Sequence, residues 1–199
     1  MHRLQFKKTE GFTLTEVMVA MGIGMVMLAA VTTTFMSQTK IYNAQEQINE
    51  MEQNARGVLD IISREVKMAG YNPATGAVTG VTYSTLQLQI EADLDASGAI
   101  STSSSANERV IYVFDSVNKQ ITRQVGSGSA QVLADNITAF SFSYYQADGA
   151  TPATNSSAIR QVKIDITAST SKPDPNYTSN NGYRTYQVFN TITPINLAL

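Results

Sequence analysis

The chain has 199 residues, a formal net charge of −2, 15% charged residues, no cysteine and one histidine, His2. This suits one domain with a tail or anchor, and gives no electrostatic reason to expect nucleic acid as the main partner. The missing cysteine and the single terminal histidine exclude disulfides, thiol chemistry, His/Cys metal sites and His-based acid–base catalysis in the body of the chain.

The amino-terminal stretch "KKTEGFTLTEVMVAMGIGMVMLAAV" runs from Lys7 and Lys8 into an apolar segment, with one carboxylate, Glu16, inside it. No charged residue lies between Glu16 and Lys40. Residues 12–36 predict a helix about 37 Å long, enough to cross a bilayer. Arg3, Lys7 and Lys8 outnumber Glu10 ahead of it, which holds that end in the cytoplasm and sends the rest of the chain outside. A cleaved secretory signal and a plain signal anchor both compete for this pattern, but neither explains Glu16 or the glycine before Phe12.

Gly11, Phe12, Thr13, Leu14, Thr15 and Glu16, behind a basic leader and ahead of an apolar helix, resemble the type IV prepilin signal. The resemblance implies that a prepilin peptidase cuts between Gly11 and Phe12, that Phe12 is then N-methylated, and that Glu16 meets the amino terminus of a neighbouring subunit during assembly. Two such charges offset each other's desolvation and leave a misregistered subunit with unpaired charges. Residues 1–11 would be the leader, 12–36 the transmembrane and filament-core helix, 37–70 its amphipathic continuation, and 71–199 a β-rich head. Major pilins commonly carry a proline well inside this helix. Here the first proline is Pro73 and Thr32–Thr34 stand in that neighbourhood, which leans toward a minor pilin or pseudopilin.

From Lys40 to Ala69, apolar residues at Ile41, Ala44, Ile48, Met51, Ala55, Val58, Ile62 and Ala69 form a helical stripe, widened by Leu59 and Val66. Glu52–Arg56 and Asp60–Arg64 are favourable i,i+4 pairs. Gly70 and Pro73 stop the helix. A helix from Phe12 to Ala69 would be roughly 87 Å long.

Beyond Gly70 the period changes to two. Strands are predicted at 86–90, in a hairpin turning at Ser116–Lys119, at 137–144, at 162–166 and before Pro194, giving five or six, mostly antiparallel. The fold class is therefore α+β, a long helix packed on an antiparallel β head. The order of these strands resembles that of W-type (PilW-like) minor pilins and of J-type pseudopilins of type II secretion. The resemblance implies a non-enzymatic structural subunit, anchored in the inner membrane with its head in the periplasm before it enters a filament. Its partners would be other pilin subunits, the peptidase and the membrane, with no cofactor and no nucleic acid. A signal-anchored extracytoplasmic enzyme would need a polar constellation in the head, and none is visible.

Three features of the head have residue types suited to a site. Asp93, Asp95, Ser97 and Gly98 match the first half of an EF-hand loop, but position 12 is Ser104 and Glu108 lies four residues beyond it. The segment reads as a solvated turn, and no metal is expected. Tyr144, Tyr145, Tyr177, Tyr183 and Tyr186 read as sheet residues rather than a binding face. Arg109, Arg123, Arg160 and Arg184 are scattered among acids and form no nucleic-acid groove.

Overall fold

The computed structural model describes residues 11–74 and 78–197. Residues 1–10 of the expected leader lie outside the described residues. The chain divides into two compact units, Met1–Gln45 and Glu46–Leu199. One helix, α1 (Leu14–Met68, 55 residues), contributes to both.

In the first unit α1 is exposed all round. Its apolar residues include Met18 at 66%, Met25 at 71% and Phe35 at 71% exposure. A helix apolar on every side has no water-facing stripe and needs an apolar surrounding. It is long and apolar enough to cross a membrane.

In the second unit α1 is amphipathic. Met51, Ala55, Val58, Leu59, Ile62 and Val66 are buried in one cluster with residues of two antiparallel sheets. The first sheet has the order β1 (Val81–Thr82), β2 (Gln87–Glu91), β3 (Arg109–Asp115), β4 (Gln120–Val125), β5 (Gln131–Ala134). The second has β6 (Ile137–Tyr145), β7 (Gln161–Ser169), β8 (Thr185–Ile192). Strict alternation makes β2 and β7 two-faced: Leu88 and Ile90, and Val162, Ile164 and Ile166, turn inward. The fold is thus a long apolar-headed helix packed, in this second unit, on antiparallel sheets.

Among the described residues there are eight strands where sequence predicts five or six. The two extra strands, β1 and β5, are two and four residues long, too short for an alternating signal. The expected pairs Glu52–Arg56 and Asp60–Arg64 form at 3.4 and 2.6 Å. Both are exposed and contribute about 0.5 kcal/mol or less each.

The carboxyl end of α1 is sealed by distant residues. Gly70 adopts φ +76°, the left-handed conformation that ends helices, and its N–H bonds to the Glu91 carbonyl at 2.9 Å. Ile195 N–H bonds to the Lys67 carbonyl at 3.1 Å, and the Asn196 amide reaches the Met68 and Ala69 carbonyls at 3.4 Å each. These contacts take up carbonyls that a helix end otherwise leaves without partners. Leu197 lies against Gly70, where an added Cβ would come within 2.6 Å of it.

Candidate functional site

The head of α1 is built by Thr13 and Glu16. The Thr13 carbonyl accepts the first helical bond, from Val17 N–H at 3.2 Å. Glu16 N–H bonds to the Thr13 hydroxyl at 3.3 Å, while Thr13 N–H bonds back to Glu16 Oε2 at 2.9 Å. This reciprocal pair is a capping box, Thr-x-x-Glu. The Thr13 hydroxyl also donates to Oε2 at 2.8 Å. The helix therefore starts at Leu14, not at the expected Phe12, because Thr13 caps its first turn through the Glu16 N–H. Gly11 and Phe12 lie outside the helix, and Phe12 is 88% exposed. Both donors meet Oε2, and among the described residues Oε1 takes no bond. The carboxylate thus has a partner in its own chain, which the expectation of an intermolecular partner did not include. The signal for it is legible in "TLTE".

In the head, Glu65 joins helix to sheet. Oε2 accepts from Tyr112 Oη at 2.5 Å, and Oε1 accepts from Arg123 Nε and Nη2 at 3.1 and 2.7 Å. Tyr112 is fully buried. Burial first, and the Glu65 charge second, hold its phenol well above the usual range. Burial opposes the charge on Arg123, but the Glu65 bonds outweigh it and leave the guanidinium raised. Tyr144, bonded to the Ser84 carbonyl at 3.0 Å, is likewise raised by burial. In the unfolded chain these tyrosines ionise near 10.0. Their contribution is therefore complete below about pH 10 and is lost above it, where the unfolded state alone gives up the protons. Urea unfolding across pH 8–11 should show a loss on the alkaline side that Tyr112→Phe reduces, while costing about 1–2 kcal/mol at neutral pH.

The structure brings Glu108 to the Asp93 loop, although the sequence reading set it outside the loop's register. Glu108 and Asp93 are buried and Asp95 is exposed, with ligand-type atoms within 4.8 Å of one another. The carboxylates are already engaged. Glu108 Oε1 accepts from Leu94 and Asp95 N–H at 3.0 and 3.1 Å, and Oε2 from Ser101 N–H at 2.7 Å. Asp93 accepts from Ser97 and Gly98 N–H at 3.1 and 2.8 Å. Hydrogen bonds from the Ser97 side chain and then its backbone hold the Asp95 carboxyl below its usual range. The arrangement satisfies the loop's backbone donors. Three carboxylates at this spacing have the chemistry to hold a hard cation, at the cost of those bonds.

The other candidates disperse into local contacts. Arg56 lies 5.4 Å over the Tyr186 ring and Arg184 4.7 Å over that of Tyr177. Arg184 pairs with Asp174 at 2.9 Å, and Arg160 bonds to the Ser157 and Ile159 carbonyls at 2.8 and 2.9 Å.

Residues 6–32 match the family model of the prokaryotic N-terminal methylation motif. The chain carries that motif. The match takes in Gly11, Phe12, Thr13 and Glu16 and most of the apolar segment, as far as Thr32. Among curated proteins none matches the chain. Among solved structures, a type IV-like pilin from Thermus thermophilus is similar over 74% of this chain and 97% of its own, with 16% identity and a TM-score of 0.45.

Proposed function

We propose that this protein is a pilin-type structural subunit, a minor type IV pilin that takes part in pilus assembly or initiation. The single observation that carries the reading is the methylation motif at 6–32, placed at the head of a helix that is apolar all round. A peptidase would cut between Gly11 and Phe12, a bond outside the helix in exposed backbone, and a methyl group would be added to the new Phe12 nitrogen. The helix would hold the subunit in the inner membrane and then pass into a filament beside other pilin subunits. The head would be displayed on the periplasmic side. The strand order resembles that of the W-type branch and equally that of the J-type pseudopilins of type II secretion systems, which are the second reading.

The test is the mass of the amino-terminal peptide from membrane-derived protein. A peptide starting at Phe12 with one added methyl group is expected. A terminus at Met1, or one near Val31, would sink the reading. Deletion then separates the two branches: loss of surface pili supports the minor pilin, and loss of exoprotein secretion supports the pseudopilin.

A further inference from the structure

Two placements of the apolar helix in a bilayer compete. A span closed at the first run of hydroxyl side chains would end at Val31, because Thr32, Thr33 and Thr34 follow. The twenty residues Phe12–Val31 then cross the hydrocarbon, about 30 Å, and put Glu16 inside it. The alternative is the twenty residues Val17–Met36, of the same length.

The hydroxyls decide between them. Thr32 Oγ1 donates to the Leu28 carbonyl at 2.8 Å, and Thr34 Oγ1 to the Ala30 carbonyl at 2.9 Å. Thr33 Oγ1 donates to the Ala29 and Ala30 carbonyls at 3.1 and 2.9 Å. Each threonine meets its hydrogen-bonding need within its own helix, and what it presents outward is largely its methyl group. Such residues are tolerated in hydrocarbon, where unsatisfied polar groups are not. The triplet therefore does not end the span. The outward boundary falls after Met36, ahead of the Gln38 amide and the Lys40 ammonium. One helical turn or so further on stand Lys40 and Tyr42, the latter 73% exposed. A basic chain that snorkels and an amphipathic ring are the side chains that settle among lipid headgroups.

Resting on the anchored reading above, we propose that the hydrocarbon spans Val17–Met36, that Glu16 stands at its cytoplasmic boundary, and that Lys40 and Tyr42 contact phospholipid headgroups of the outer leaflet. The partner of this short segment is thus lipid, with the Lys40 ammonium facing lipid phosphate and the Tyr42 ring at the headgroup–acyl boundary. The capping box then lies in the inner interface, where Glu16 is hydrated until a neighbouring chain arrives.

The chain has no cysteine and no tryptophan, so single probes report without background. Thr15→Cys, Thr33→Cys and Gln38→Cys in the full chain, in permeabilised native membranes, are to be timed with a water-soluble maleimide. Thr33→Cys should react at least about tenfold more slowly than the other two, since an apolar surrounding suppresses the thiolate, and detergent should erase the gap. A fast Thr33→Cys with a slow Thr15→Cys would place the span at 12–31 and overturn the proposal. Uniformly fast labelling of protein that alkaline carbonate extracts would instead defeat the anchored reading itself. In vesicles of phosphatidylethanolamine and phosphatidylglycerol, Tyr42→Trp should be quenched more by bromine placed shallow in the acyl chain than by bromine placed deep. No quenching at either depth would remove Tyr42 from the headgroup layer.

Discussion

Glu16→Gln should insert in the membrane, keep its helix start, and fail to enter filaments. Glutamine serves at the third helical position of a capping box as well as glutamate does, so the two bonds that Thr13 donates at 2.9 and 2.8 Å keep a side-chain acceptor, and the bond from the residue-16 N–H to the Thr13 hydroxyl is untouched. What the variant loses is the negative charge. In an assembled helix bundle, an incoming amino-terminal ammonium without its carboxylate is a buried unpaired ion, at a cost of about 3–5 kcal/mol. Incorporation should fall by roughly two to three and a half orders of magnitude at about 1.4 kcal/mol per tenfold. Glu16→Ala should fall as far and also loosen the first helical turn, with a cap worth about 1 kcal/mol. Sheared-filament fractions, scored against total membrane protein, separate insertion from incorporation. A Gln variant found in filaments at the parent level would show that the charge is not used, and that Glu16 is a helix cap and nothing more.

The largest loss of stability in the head is expected from Glu108→Ala. This side chain is 1% exposed and accepts three backbone N–H groups across the segment from Leu94 to Ser101. Removing it leaves three donors in a space too closed for free hydration, at about 3–5 kcal/mol in all. At roughly 2–4 °C per kcal/mol for a domain of this size, the thermal midpoint should drop by about 10 °C. Asp93→Ala, which frees the Gly98 N–H but leaves the Ser97 N–H its 2.9 Å bond to Asp95, should cost less. A Glu108→Ala head melting within a degree or two of the parent would mean that the loop reorganises at no cost. Because every carboxylate in the cluster already receives backbone donors, added calcium should leave the parent midpoint where it is.

How much of this was legible beforehand depends on the range of the interaction. Periodicity marked β2, β3, β4, β6, β7 and β8, since each is long enough for two or more inward residues to declare a face. It did not mark Val81–Thr82 or Gln131–Ala134, whose strand character comes from their neighbours. Nor did it divide the strands into two sheets. That division falls at the tight passage from β5 to β6, where Asn136 takes φ +56°, and it is decided by which strand each meets in space. The Asp93 loop shows the same limit. The EF-hand register of a calcium loop places position 12 at Ser104, while the fold brings in Glu108 through a turn of its own. The methylation motif was legible because its signal is local. The second partner of Glu16 was present in the same letters, as Thr13 three residues upstream.

The seal on the carboxyl end of α1 also sets an order of events during synthesis. Ser63 waits for Asn190, to which it bonds across 127 positions, and Lys67 waits for Ile195. Loops of that length close slowly. The apolar segment will have left the ribosome, and met the membrane, long before β8 exists. The helix end must therefore remain open until Ile195 has been translated, and a nascent head is a substrate for chaperones and proteases throughout that interval.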